Sequence, residues 1–89
     1  MKHVVKRAGH IESFDNRKVY ASIYASCLAV HEPSEVAELV AQKTTREVEA
    51  WLATKNEVTS NDIRRQAGKF LGKTSPHAGY LYLHHRIMW

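Results

Sequence analysis

Residues 4–19 read Val4-Val5-Lys6-Arg7-Ala8-Gly9-His10-Ile11-Glu12-Ser13-Phe14-Asp15-Asn16-Arg17-Lys18-Val19. Two short extended runs, Val4 to Arg7 and Ile11 to Phe14, flank Ala8-Gly9-His10, where Gly9 can take a positive φ without steric cost. A glycine-containing three-residue loop between such runs predicts a β-hairpin. Asp15 then precedes a helical pattern, and its carboxylate can accept from the first free N–H groups. The same stretch gathers the cations Lys6, Arg7 and Lys18 with the acids Glu12 and Asp15. Short strands docked on a helix N-terminus, with cations beside them, suit the binding of an anion.

Outward from this stretch the pattern is helical. Val19, Ile23, Cys27 and Val30 recur at helical spacing, widened by Tyr20 and Tyr24, and predict a first helix over about 16–30. His31-Glu32-Pro33 ends it, because proline disfavours helical geometry in the residue before it. A second helix is expected over about 34–54, with Pro33 tolerated at its first turn and Val36, Leu39, Val40, Val48, Trp51 and Leu52 on its buried face. Its middle, Gln42 to Glu47, is polar, and some of it is expected to be exposed or to face a ligand. Thr59-Ser60-Asn61-Asp62 resembles a capping box and opens a third helix over about 60–71, with Gly72 placed to end it. Ser75, as cap, and Pro76, at the first position, open a fourth over about 76–88. Its apolar face would use Ala78, Leu81, Tyr82 and Met88 with some of Tyr80, Leu83 and Ile87. The expected fold is mainly α, a four-helix bundle capped by an N-terminal β-hairpin lid over about residues 3–14.

Size and composition limit the function classes. A chain of 89 residues makes one domain, 1–89, near the size where a single core suffices without disulfides or metals. A hydrophobic content of 44% with 25% charged residues is that of a globular protein. The single cysteine, Cys27, excludes an internal disulfide and a four-cysteine zinc ribbon, and its place in the first helix's stripe predicts a buried, unreactive thiol. No apolar run has the length of a membrane span or signal peptide, so the expectation is a cytoplasmic protein without a membrane partner. The net charge of +4 suits nucleotide phosphates, nucleic acid or an acidic protein surface, and equally suits simple solubility.

Several enzyme signatures are missing: there is no phosphate loop, no Gly-x-Gly-x-x-Gly and no His-Glu-x-x-His. His84 and His85 are adjacent, and neighbours on a helix point about 100° apart, so a shared metal ion is disfavoured. Lys6 and Arg7 alternate across a strand, where they could either reach a ligand or merely protect an edge. Ser60, Asn61 and Arg64 supply a second helix N-terminus with a hydroxyl and a cation one turn on, a feature that by itself is only a capped helix. Two such anion sites on one small domain are more informative than either.

Val4, Lys6, Arg7, Gly9, Glu12, Phe14, Asp15 and Lys18 match, in order and spacing, the opening of the ATP-cone domain. That family comprises the nucleotide-sensing regulatory domains of ribonucleotide reductases and of the repressor of their genes. Val58-Thr59-Ser60 with Asp62-Ile63 resembles its third-helix start, and Ala78 with Tyr80 its final helix. The resemblance implies the hairpin-capped four-helix bundle and binding of ATP or dATP between lid and helices. It implies that Val4 and Val19 bracket adenine and that Glu12 and Asp15 lie near its polar edge. Lys6 and Arg7 would serve the phosphates, Lys18 the phosphates or ribose, and Ser60 and Arg64 the phosphate end. Ala8 departs from the family's usual aspartate before the turn glycine, which affects turn stability rather than binding. The chain also carries neither the reductase barrel nor the repressor's zinc ribbon.

The expected function is therefore an adenine-nucleotide-binding regulatory module without catalysis of its own. Mg²⁺ would accompany the nucleotide, and the partner would be a second copy of the chain or a larger regulated protein. The alternative is a small basic nucleic-acid-binding module, using the third helix with Arg64, Arg65 and Lys69 while Arg17 and Lys18 touch backbone phosphates. A third reading is a protein adaptor that exposes Tyr80, Tyr82, Ile87, Met88 and Trp89.

Overall fold

The computed structural model describes residues 3–5 and 11–84, with side chains over 14–84. Its elements run β1 (His3–Val5), β2 (Ile11–Ser13), α1 (Asn16–Ala29), α2 (Ser34–Leu52), β3 (Val58–Thr59), α3 (Ser60–Thr74) and α4 (Pro76–His84). Among the described residues the fold is mainly helical, with four helices. β1 lies at the centre of a three-stranded sheet, antiparallel to β2 with Val4 opposite Glu12, and parallel to β3 with Val4 opposite Val58. The turn on which the hairpin and lid reading depends, 6–10, lies outside the described residues, as do Ile87, Met88 and Trp89.

Each helix boundary has a local cause. Asp15, in extended geometry, accepts from the Arg17 N–H at 3.0 Å and so starts α1. The helix ends because His31 takes a left-handed φ of 66°. Its N–H then reaches the Leu28 carbonyl at 3.0 Å, and the Glu32 N–H reaches that of Cys27 at 3.1 Å. This pair of bonds is a Schellman closure, usually built on glycine. Pro33 stands as the N-cap of α2, one residue before the helix, and offers its carbonyl to the Ala37 N–H. α2 ends at Leu52, short of the expected 54, because Thr54 and Lys55 donate three residues back to Trp51 and Leu52. The Thr54 hydroxyl also takes the Trp51 carbonyl, at 2.7 Å.

α3 opens with the expected capping box. Thr59 Oγ1 accepts from the Asp62 N–H at 3.0 Å, and Asp62 Oδ2 accepts from the Thr59 N–H at 3.1 Å. It does not stop at Gly72 but runs to Thr74. The reason is the approach of α4: a Cβ on Gly79 would lie 2.5 Å from the Gly72 Cα and 3.2 Å from the Gly68 carbonyl oxygen. Gly79 thereby lets the α4 backbone rest on the α3 backbone at Gly72, which is an interior helical position and not a terminator. Ser75 stands just before α4, as expected, with its carbonyl accepting from the Gly79 N–H at 2.9 Å, but it is also the C-cap of α3, and its hydroxyl donates to Glu32 Oε1 at 2.6 Å.

The core draws on all four helices: Val19, Ile23 and Cys27, then Ala37, Val40, Ala41, Val48 and Leu52, then Ile63, Ala67 and Leu71, then Ala78 and Tyr82. Val58 of β3 joins them. The inward stripe of α2 is Ala37, Val40, Ala41, Thr44, Thr45, Val48 and Leu52, which keeps Val40, Val48 and Leu52 of the expected face and adds the small residues. Val36 and Leu39 are exposed instead, at 42% and 66%. Reading by residue size misled there, because small residues let α2 approach α1 closely. Tyr82 is buried, against the adaptor reading, and its phenol meets the Ser22 hydroxyl at 2.9 Å. Since Ser22 Oγ donates its single hydrogen to the Val19 carbonyl, Tyr82 is the donor in that contact.

Candidate functional site

The small sheet fixes how the candidate residues are distributed. β2 runs through Phe14 into Asp15 and α1, while β3 runs directly into Ser60 and α3. Because β1 lies between them, two helix N-termini open from one sheet. In the parallel ladder Val5 stands opposite Thr59, the residue that caps α3. The free N–H groups of a helix start favour an anion, and here one such start adjoins the central strand.

Val4 and Glu12 are register partners across β1 and β2. Lys6 and Arg7 lie outside the described residues. Asp15 has both carboxylate oxygens engaged by Arg17, whose Nε donates to Oδ1 at 3.2 Å and whose second guanidinium nitrogen donates to Oδ2 at 3.3 Å. These side-chain bonds, followed by the backbone N–H of Arg17, hold the Asp15 carboxyl below its ordinary value of 3.8. The stabilisation this brings is present above that value and fades as pH falls through the lowered one. Oδ1 accepts from both the backbone N–H and Nε of Arg17, so Oδ2, with one bond, keeps a second lone pair for a ligand donor.

Lys18 is exposed on the first turn of α1, whereas Val19 beside it is fully buried. Ser60 is half-buried at the first position of α3. Arg64, one turn on, is also half-buried, and its guanidinium donates to the Leu83 carbonyl at 3.2 Å and to Asn61 Oδ1 at 3.4 Å. The sheet thus relates Val4 and Glu12 to the starts of α1 and α3, while Arg64 is turned toward the end of α4.

Three features escaped the sequence reading. The β3–β1 pairing did, because two residues are too few to show alternation; Val-Thr after Lys55-Asn56-Glu57 was the available signal. So did the engagement of Arg64 with α4, which no local pattern announces. The third is on α2, where the Thr44 and Thr45 hydroxyls and Glu47 Oε1 are buried without hydrogen-bond partners. In this polar stretch Gln42, Lys43 and Arg46 are exposed, as expected for part of it, while Thr44 and Thr45 turn inward.

Cys27 is fully buried, and that burial, with Glu32 nearby, pushes its thiol up to about 12. It is not a nucleophile at neutral pH. Among the described residues no group of three or more His, Cys, Asp or Glu is set to hold a metal ion. Among them, too, no helix is long and apolar enough to cross a membrane.

Comparison with protein families matches residues 2–89 to the family described as the ATP cone domain. No curated protein matches the chain, and no solved structure does.

Proposed function

The chain belongs to the ATP-cone domain family, whose members are nucleotide-sensing regulatory modules that bind ATP or dATP and have no catalytic activity of their own. From that premise we propose that this chain binds an adenine nucleotide where β1 meets the starts of α1 and α3, and signals occupancy to a second copy or a larger regulated protein in the cytoplasm. The observation that supports it best is the parallel pairing of β1 with β3, in which Val5 stands opposite the cap of α3.

Val4 would cover one face of the adenine, and buried Val19 would support the base from beneath. Glu12 and Asp15 would accept from the exocyclic amino group. Lys6, Arg7, Lys18 and Ser60 would meet the phosphates, with Mg²⁺ retaining water and phosphate ligands. Arg64 adds a route for transmission. In order to serve a phosphate its guanidinium would give up the Leu83 carbonyl, so occupancy at the start of α3 would loosen the end of α4.

Calorimetric titration of the whole chain with ATP, dATP and GTP tests the reading. A guanine carbonyl would face the carboxylate acceptors, so ATP or dATP should bind at least about tenfold more tightly than GTP. Lys6→Ala or Arg7→Ala should weaken ATP by about tenfold or more, since a charged hydrogen bond contributes about 1.5–3 kcal/mol. Light scattering with each nucleotide should then give different oligomer populations. Equal affinity for ATP and GTP would sink the base-recognition argument, and no adenine-nucleotide binding would sink the function.

A further inference from the structure

α3 and α4 pack antiparallel, because contacts move from Gly72 to Gly68 to Arg64 on α3 as they advance from Gly79 to Leu83 on α4. In an antiparallel pair, the residues one step past the contact positions turn by about 100° toward the same side on both helices. One step before the contacts stand Ile63, Ala67 and Leu71, with Ala78 and Tyr82, and all are buried in the core. One step after stand Arg65, Lys69 and Lys73, with Tyr80 and His84, and all are exposed. The outer face of this helical hairpin is therefore a row of three cations about 6 Å apart along α3, beside an aromatic row on α4. Tyr80 is 64% exposed and its ring lies 4.2 Å from that of His84, centroid to centroid. Lys73 rests over Phe70 at 5.7 Å, a surface contact that it can exchange for a phosphate. The one acid in these two helices, Asp62, is tied into the capping box.

We propose that this face of α3 and α4 binds single-stranded nucleic acid, the Arg65–Lys69–Lys73 row tracking phosphates while a base stacks on Tyr80. Charge complementarity supplies the attraction. The exposed ring pair beside the cations favours a nucleic acid over an acidic peptide, since bases bring π-faces of their own. The face is separate from the nucleotide site proposed above and uses none of its residues.

Fluorescence anisotropy of a labelled oligo-deoxythymidine of about 16 nucleotides titrated with the whole chain provides the test. Three phosphate contacts give a log–log salt slope of about −2, so affinity should fall about 15- to 20-fold between about 50 and about 200 mM salt. Arg65→Ala/Lys69→Ala/Lys73→Ala should abolish binding or bring the slope near zero. Tyr80→Ala should weaken binding at least about fivefold with the slope kept. Thermal melts of both variants, which alter only exposed side chains, check that they fold. No binding at low salt would overturn the proposal. So would tighter binding of duplex DNA, equal binding of polyglutamate, or parent-like affinity in either variant. Nucleotide calorimetry on the same variants keeps this result apart from the fate of the adenine site.

Discussion

His31 carries the one left-handed backbone among the described non-glycine residues, and it does so where the Schellman closure needs it. The conformation costs an L-residue about 1–2 kcal/mol, while glycine adopts it freely at a larger entropic loss on folding. His31→Gly should therefore stabilise the chain by about 0.5–1 kcal/mol, read as a rise of a few degrees in the thermal midpoint. An unchanged or lower midpoint would mean that the imidazole makes a stabilising contact. Other single-residue features were legible in the sequence because they act over one turn of chain. Asp15 and the Thr59–Asp62 box are of this kind, since a cap and its target lie two or three residues apart. Arg64 was not, because its partner carbonyl belongs to another helix.

At the scale of elements, the two glycines where α3 meets α4 have opposite roles. The Cβ direction of Gly72 is open, with nothing within 4 Å, whereas that of Gly79 points into the Gly72 backbone. Gly72→Ala should stabilise by about 0.5–1 kcal/mol through helix propensity. Gly79→Ala should destabilise by about 1–3 kcal/mol, because backbone cannot yield as a side chain can. Urea denaturation of the two variants separates them by sign, and a matching sign would discount the backbone contact. Helix existence followed from apolar spacing, but the end of α3 and the inward face of α2 did not. Along α2 small residues mark a close approach, whereas Gly72 is an interior helical position with an open Cβ direction, and a small residue in sequence also reads as a breaker or a spacer. The candidate site was legible only as far as its caps and its family resemblance, since β3 takes its meaning from a strand at the other end of the chain.

Across the whole molecule, the Ser75–Glu32 bond ties the α1–α2 connection to the α3–α4 connection. It is short, at 2.6 Å, and the other carboxylate oxygen, Oε2, is buried without a partner. Ser75→Ala would remove the hydroxyl donor of Oε1 beside an Oε2 that already has no partner, at a cost of about 1.5–3 kcal/mol. The midpoint in urea should fall with the slope unchanged, as expected when stability alone is altered. A loss well below 1 kcal/mol would show that solvent replaces the hydroxyl.

The parallel ladder also sets an order of events during synthesis. β1 is made before α1, yet its β3 partner appears only after all of α1 and α2 has been built. Until then one edge of β1 must stay unpaired, while the helices between can form from local contacts. Long-range strand pairing is slow because the chain between must close before the contact gives any return. The central strand of the sheet is thus translated ahead of both helices yet completed only after them, and a nascent chain stopped before Val58 would hold two helices and no finished sheet.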